Sequence, residues 1–378
     1  MKKILFVAST LSHIENFHIP YLEQFKECGY TVHIMGKTNN KCHISCADKI
    51  IPIPFEKNMF SVKNFAFAFK ISKIMKSEQY DIISIHTSLA AFFVRVGIML
   101  CSKKPKLVVN TVHGYLFDIN TSFFKKNIML LAEKFTKCVT DIVIVMNSED
   151  YNIAKENKLY KKNLFLINGM GIDLTRFPSV SYRDKLLLRR ELNYKGNDFI
   201  LIYVAEFSKR KNQKFLLDSV NQLRKSGFKN IKLLLLGNGK FFDELQSYAR
   251  ELNINDNIIF AGYTKDTKKY YQMSDVCVSA SRIEGLPFNI MEAMSVGLPI
   301  VASKVKGHTD LIIPNENGFL FKYNDIDDFC SYIKTLCKNK ELRDKMSIKS
   351  KNFSKRYSIN SVLPNTVEII LREYNKTL

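Results

Sequence analysis

Short apolar runs alternating with helical stretches, twice over, constrain this chain more than any other feature. Ile4–Ala8, Thr31–Met35, Asp81–His86, Leu107–Val112 and Ile142–Met146 read as strands. Helical segments fall between or after them, at Ile19–Cys28, 62–79, 88–101 and 123–138. In the last of these, Phe124, Ile128, Leu131 and Phe135 recur on one stripe. The rhythm then restarts with strands at Ile200–Val204, Ile231–Leu236, Ile258–Phe260, Val276–Ser279 and Ile300–Ala302. Helices at 212–226, 241–252, 266–273 and 288–296 separate them. Strands that alternate with helices of this length pack as parallel sheets covered on both faces.

Two such sets imply two α/β domains, and 378 residues are too many for one ordinary core. The joint falls near 170–197, where Gly169, Gly171 and Pro178 precede a charged, poorly periodic stretch. We expect a first domain over residues 1–175 and a second over 195–354. A terminal helix within 355–378, clearest at Val362–Tyr374, is expected to join the first.

Composition narrows the function classes. There are 57 Lys and Arg against 36 Asp and Glu, a formal charge of +21. Residues 1–177 hold 24 basic and 14 acidic side chains, and the remainder holds 33 and 22. The excess is thus spread evenly rather than gathered in a tail. Such a field favours phosphorylated small molecules, anionic lipid or nucleic acid. Dispersed basic residues and the lack of any nucleic-acid-binding signature argue against the last. Eight cysteines, several inside apolar runs such as Asp275-Val276-Cys277-Val278, fit reduced thiols of a cytoplasmic protein. Cys42-His43 and Cys46 lack a second pair at zinc-site spacing, and no metal is expected. The start, Lys2-Lys3-Ile4-Leu5-Phe6-Val7-Ala8, is too short an apolar run for a signal peptide and reads as the first strand. No run of about 18 apolar residues is present to span a membrane.

In open α/β sheets, ligands sit beyond the carboxyl ends of the strands. Two sheets facing each other would make a deep cleft, so segments just after strands are the ones to examine. The most informative runs from Ser281 to Met294: S-R-I-E-G-L-P-F-N-I-M-E-A-M. It follows a strand and opens a helix. Gly285 permits close backbone approach, and Pro287 suits a first helical turn. The N–H groups of Phe288 and Asn289 would then form an anion site. Glu284 and Glu292 flank that site as acceptors for hydroxyl groups. A sugar joined to a nucleoside diphosphate has hydroxyls on both sides of its phosphates. By spacing alone, two solvated carboxylates explain the pattern equally well.

This segment resembles the E-x7-E motif of retaining glycosyltransferases of family 4, which have the GT-B fold of two Rossmann-like domains. Asn168-Gly169 with Ile172-Asp173 and Phe177 is similar to the family's N-G-x-D-x-x-x-F signature. Ala205–Asn212 stands where its G-R-L-x-x-x-K-N loop falls, and Gly237-Asn238-Gly239 resembles its G-x-G turn. Gly262, Gly297-Leu298-Pro299-Ile300-Val301-Ala302 and Gly307-His308-Thr309-Asp310-Leu311 follow in the family's order. Three departures stand out. Glu206 replaces the family's arginine, His308 replaces a second glycine and would leave a bulkier wall, and no glycine-rich loop follows the first strand.

The resemblance implies transfer of a sugar, with retention, from a nucleotide-sugar donor, UDP-linked by preference. The acceptor would be a growing saccharide, lipid-linked in one version, in bacterial capsule, exopolysaccharide or O-antigen synthesis. It implies catalytic roles for His113, Lys211 and Glu284. Donor binding falls to Glu206, Arg210, Lys211, Gly237, Asn238, Arg282, Glu284, Gly285, Leu286, Phe288, Asn289 and Glu292. Of these, Glu292 would take the ribose and Glu284 the transferred sugar, with Arg210 or Lys209 standing in for the missing arginine. The loop Ser9–His18 faces the acceptor in the family, which puts His13, Asn16 and His18 on that side. No cofactor is implied. Lys57, Lys63, Lys70, Lys73 and Lys76 interleave with Phe60, Phe65, Phe67 and Phe69 and are compatible with docking on the inner face of an anionic membrane. Phe123, Phe124, Lys125 and Lys126 would add to that surface. Two rivals remain: a nucleotide-sugar epimerase or dehydrogenase, which should carry G-x-G-x-x-G near residues 8–15 and does not, and an inactive homologue that only binds.

Overall fold

The structure, a computed structural model, describes residues 2–38, 44–56, 58–59, 61–118 and 121–378. Lys57, Phe60, Cys42 and His43 lie outside the described residues. The chain divides into two compact units, one of residues 1–171 with 360–378 and the other of residues 172–359.

The first unit is built on β1 (Lys3–Thr10), β2 (Thr31–Lys37), β3 (Lys49–Pro52), β4 (Ile82–His86), β5 (Leu107–Val112), β6 (Ile142–Val145) and β7 (Asn163–Leu166). They form one parallel sheet in the order β3-β2-β1-β4-β5-β6-β7. Its helices are α1 (Leu11–Phe17), α2 (Ile19–Glu27), α3 (Val62–Glu78), α4 (Ser88–Met99), α5 (Phe123–Thr136) and α6 (Ser148–Glu156), with Ile359–Asn375 added from the far end of the chain. The strand order reverses between β1 and β4, a topological switch point of the kind where ligands bind. β4 and β5 are buried along their whole length, as expected for strands covered on both faces.

Two local features differ from the sequence reading. The segment after β1, expected to be a loop, forms α1, with Leu11 and Ile14 buried beneath it. The apolar stripe of α5 points outward. Phe124, Ile128, Leu131 and Phe135 are all exposed, and Phe123 is 84% exposed. An amphipathic helix ordinarily buries its apolar stripe. Here Leu130 and Glu133 face inward instead. Arg95 of α4, wholly buried, grips Glu133 of α5 in a two-pronged contact at 2.9 and 3.0 Å, which turns the other side of α5 to solvent.

The second unit contains β8 (Phe199–Val204), β9 (Ile231–Leu236), β10 (Ile258–Gly262), β11 (Val276–Ser279), β12 (Ile300–Ser303) and β13 (Gly318–Phe321), again all parallel, in the order β10-β9-β8-β11-β12-β13. Its helices are α7 (Tyr182–Glu191), α8 (Gln213–Lys225), α9 (Phe242–Glu251), α10 (Lys268–Met273), α11 (Phe288–Val296), α12 (His308–Leu311), α13 (Ile326–Lys338) and α14 (Lys340–Ser354), and the helix Ile359–Asn375 is therefore α15. In α8 the apolar stripe is packed inward, with Phe215, Leu216, Val220 and Leu223 in the core. The switch point of this sheet lies between β8 and β11. Among the described residues, no helix is long and apolar enough to cross a membrane.

Candidate donor site and the histidine cluster

The loops leaving β8 and β11 flank the second switch point, and they are tied to each other. The Arg282 amide donates to the Arg210 carbonyl at 2.9 Å. Lys211 Nζ lies 2.5 Å from Glu284 Oε1, and Arg210 Nη1 lies 3.0 Å from Oε2. Glu284 is buried. Burial alone would raise its pKa, but Lys211 and Arg210 outweigh that and bring it down to about 2. Lys211 is lowered by burial, with Glu284 pulling the other way. Glu284 is therefore an ionised carboxylate held between Lys211 and Arg210.

A polar network holds the Glu284 turn from below. The Tyr203 hydroxyl, at the end of β8, lies 2.7 Å from Ser281 Oγ and donates to the Lys211 carbonyl. Ser303 Oγ donates to the Ser281 carbonyl at 2.6 Å. His308 accepts or donates at Ser279 Oγ, 3.1 Å away, and its other nitrogen donates to the Ser303 carbonyl. His308 is thus a fully buried tie between two strand ends, and its pKa is pushed down to about 4 by burial. It does not form the bulky wall expected from its place beside Gly307. Gly307 itself is required: its φ is +79°, and a Cβ there would sit 2.4 Å from the Gly285 carbonyl oxygen.

Gly237, at the end of β9, has φ +140°, and a Cβ would meet the Ala205 carbonyl oxygen at 2.1 Å. The G-N-G turn therefore presses directly on the 205–207 segment, and the Asn238 carbonyl accepts from the Phe207 amide. The Asn238 and Glu206 side chains are exposed beside it. Gln213 fixes this segment by donating to the Glu206 carbonyl.

α11 opens with Pro287 at its N-cap, one position earlier than expected, and that residue supplies no capping side chain. Leu286 is buried and anchors the turn, while Phe288 is only partly buried. Asn289 donates from its side chain to the Val204 carbonyl at 2.9 Å, which fastens α11 to β8. Glu292, on the second turn, accepts from the Tyr271 hydroxyl at 3.0 Å. Burial raises its pKa to about 7, and the Tyr271 bond and nearby Arg176 only partly offset this. Tyr271, Tyr203 and Ser303 were not singled out in the sequence, nor was the network that Tyr203 and Ser303 form with Ser281 and His308. Their only signal there is the run of hydroxyl residues at strand ends.

In the first unit, His113 follows β5, and its Nε2 lies 3.1 Å from His86 Nδ1. His86 also contacts Ser84 Oγ at 3.0 Å. His13 and His18 close around them from α1 and from the junction of α1 with α2, with the His18 ring tilted against His86 at 3.9 Å between centroids. Asn16 is exposed, but His18 is fully buried. A direct contact from His18 to an acceptor, expected from its place in the chain, is therefore closed off by packing. The structure gathers His13, His18 and His113 in one unit, and Lys211, Arg210, Arg282, Glu284 and Glu292 in the other.

Two doubly wound sheets, one with a charged turn and helix N-terminus at its switch point, define a Rossmann-type protein suited to a phosphorylated ligand. Residues 184–353 match the family model described as glycosyl transferases group 1, and residues 3–147 match that of glycosyl transferase 4-like proteins. The protein of Bacillus subtilis (strain 168) named as the glycosyltransferase EpsD is 30% identical over 94% of this chain and 93% of its own length. The UDP-Gal:alpha-D-GlcNAc-diphosphoundecaprenol alpha-1,3-galactosyltransferase of Escherichia coli is 27% identical over 78% of this chain and 75% of its own. The solved sucrose-phosphate synthase of Thermosynechococcus elongatus superposes with a TM-score of 0.81 over the full length of both chains at 20% identity. The chain belongs to the group 1 glycosyltransferases, with a GT-B-type pair of domains, and is an enzyme of that class.

Proposed function

We propose that this glycosyltransferase takes a hexose from a UDP-sugar and passes it, with retention of configuration, to a lipid-linked saccharide on the cytoplasmic face of the membrane. The observation that carries the reading is the Glu284 turn, held at a switch point with Lys211 and Arg210 on its carboxylate and a helix N-terminus behind it. A departing nucleoside diphosphate needs preorganised positive charge, which these two cations and the α11 backbone supply. The incoming diphosphate competes with Glu284 for Lys211 and Arg210. That exchange frees the carboxylate to accept from hydroxyls of the transferred sugar. Glu292, on the same helix, accepts from the ribose diol. Glu206 replaces a cation, so Arg210 supplies the second charge. Gly237 and Asn238 line the donor loop, and His113 is the first unit's candidate for contact with the sugar.

The choice of UDP and of a lipid-linked acceptor draws on the Escherichia coli relative, whose name carries both. A lipopolysaccharide galactosyltransferase of the same species as that relative supports a role in surface-polysaccharide assembly. The first unit supplies physical support for a membrane-borne acceptor. Outward-facing Phe123, Phe124, Leu131 and Phe135 neighbour Lys125, Lys126 and Lys134, while Lys63, Lys70, Lys73 and Lys76 project from α3. That pairing of apolar and basic groups suits an anionic leaflet. Beside α5 lies a cavity of about 230 Å³ lined mainly by Leu89, Phe92, Leu116, Phe117 and Met129, wide enough for part of an acyl or prenyl chain.

Nucleotide release measured over UDP-, GDP- and ADP-sugars tests the donor reading. Turnover is expected with a UDP-hexose, and UDP rather than NAD should raise the thermal midpoint. Stabilisation by NAD without release from any nucleotide sugar would overturn it.

A further inference from the structure

Just past His113, the loop leaving β5 turns apolar, as Tyr115-Leu116-Phe117. The Tyr115 and Phe117 rings are buried and stacked 5.2 Å apart between centroids, whereas Leu116 is 60% exposed. All three line the cavity of about 230 Å³ beside α5, with Leu89 and Phe92 of α4 and Met129 of α5. Because Leu116 is among the lining residues, the cavity reaches the surface there. A polar pocket of about 30 Å³, lined in part by Asn110, Thr111 and His113, adjoins it. Ser88, Tyr115 and Glu133 line both spaces and form their common wall. That wall is braced. The Tyr115 amide donates to Asp150 at 3.2 Å, and the Arg95 guanidinium holds Glu133. An apolar hollow with braced walls forfeits dispersion contacts until something fills it.

Volume and charge select the occupant. Sites for whole small molecules run to about 300–1,000 Å³, so this one takes part of a molecule. It has room for a length of one hydrocarbon chain, not for the paired chains of a diacylglycerol. Lys125 and Lys126 precede Met129 by one turn of α5, which sets basic groups on the cavity's side of that helix. Cations there suit phosphate groups at the head of the chain. The backbone sets the reach. Tyr115 and Phe117 follow His113 by two and four residues, and so lie at most about 7 and 14 Å from it. A diphosphate and one or two sugar rings fill such a gap, and a long saccharide does not.

We propose that the cavity between α4 and α5 takes the first isoprene units of a prenyl diphosphate acceptor, which carries only one or two sugars when it reaches the enzyme. The inference rests on the lipid-linked acceptor read above. It places the enzyme early in assembly. Transfer of a sugar phosphate onto a prenyl phosphate must supply the substrate, and further glycosyl transfers must consume the product.

The full chain is titrated with dimethylallyl, geranyl, farnesyl and geranylgeranyl diphosphate, each below its micelle concentration. Every methylene taken from water adds about fourfold in affinity. Binding should therefore rise at least about tenfold with the added isoprene from dimethylallyl to geranyl, then level off once the cavity is full. Dioctanoyl phosphatidate, with two chains, should bind more weakly than farnesyl diphosphate. Leu116→Glu and Met129→Trp, at positions that are not buried, should each weaken farnesyl diphosphate at least about tenfold. UDP binding, read separately, should stay as in the wild type and report that both variants fold. Ile348→Glu, at an exposed site on α14, should change neither. In the release assay with UDP-hexoses, farnesyl diphosphate bearing one or two N-acetylglucosamines should exceed the five-sugar form at least about tenfold in kcat/KM. Affinity without a plateau, tighter binding of the phosphatidate, or indifference to both cavity variants would each overturn the cavity's role. Equal use of the five-sugar acceptor, or no use of the shorter two, would overturn the early step. Turnover with free saccharides alone would instead overturn the lipid-linked reading beneath both.

Discussion

At the first switch point, four uncharged imidazoles crowd together with nitrogens unmatched. At the second, a carboxylate is gripped by an ammonium and a guanidinium, one more positive charge than negative. The two sheets share a strand order through their first six strands, so topology does not account for the difference. What differs is the side chains placed on the loops after strands. The second unit stores its positive potential as an ion pair that an anionic ligand can unlock. The first presents uncharged imidazoles, which suit exchange of hydrogen bonds with a hydroxyl. One fold has thus been equipped with opposite chemistry in its two copies.

The hardest test of that contrast is Lys211→Met. If the paired ammonium is what meets the diphosphate, turnover in the nucleotide-release assay should fall ~10²–10³-fold. Removing Lys211 also leaves a buried carboxylate with one partner, which destabilises by about 3–5 kcal/mol. The double variant Lys211→Met/Glu284→Gln should therefore recover the thermal midpoint without recovering turnover. Wild-type turnover in Lys211→Met would remove the lysine from the role and with it this side of the comparison.

A smaller effect comes from pH. The raised pKa of Glu292, about 7, means the group is neutral below that pH and ionised above it. An acceptor for a ribose diol works best ionised. UDP affinity measured by calorimetry should be full above pH 7 and fall by up to about tenfold per unit between pH 7 and pH 5. Glu292→Gln should bind weakly with a flat profile. The same shift has a defined sign for folding. The folded state holds its proton more tightly than the unfolded chain does, so this group's contribution to stability is lost as pH rises from 4.5 through 7. The glutamine variant escapes that loss. Binding that stays flat in the wild type would mean Glu292 does not meet the ribose as an ionised acceptor.

How far the sequence carries such distinctions can be seen element by element. The strand rhythm was plain because strands buried on both faces are mostly apolar, as β4, β5 and β11 are apart from Ser84, His86, Asn110, Thr111 and Ser279. α7 was not, because its inward anchor is charged: Arg189, buried, donates to the Met273, Gly196 and Asp198 carbonyls and to Asp275. A buried arginine leaves no apolar period to read. The loop Ser281–Glu292 could be found by its pattern, but its contact with Lys211 spans 73 residues and exists only in the fold. Asn289 lies in that same pattern and His308 in the motif that starts at Gly307, yet their side chains are spent on holding strands and helix together. The unmatched nitrogens of His18 had no local signature at all.

The least visible property in sequence was direction. α5 and α8 both carry an apolar stripe, and only the fold shows that one faces solvent and the other the core. Leu131→Ser in α5 should change stability by no more than about 0.5 kcal/mol, whereas Leu216→Ala in α8 should cost about 2–5 kcal/mol. Cosedimentation with anionic vesicles should drop several-fold for Phe124→Ser/Leu131→Ser and not for the α8 variant once refolded. A large loss of stability from Leu131→Ser would show that the α5 stripe is covered.

The chain quits its first unit at Gly171 and re-enters it at Asn360. The returning segment is bonded in, with the Tyr374 hydroxyl on Asp81 and the Glu373 carboxylate on the Asn163 amide. During synthesis residues 1–171 thus wait for 360–378, which follow the whole of the 172–359 unit. A growing polypeptide of this design matures out of order. Disrupting the 360–378 segment would injure a unit begun long before it.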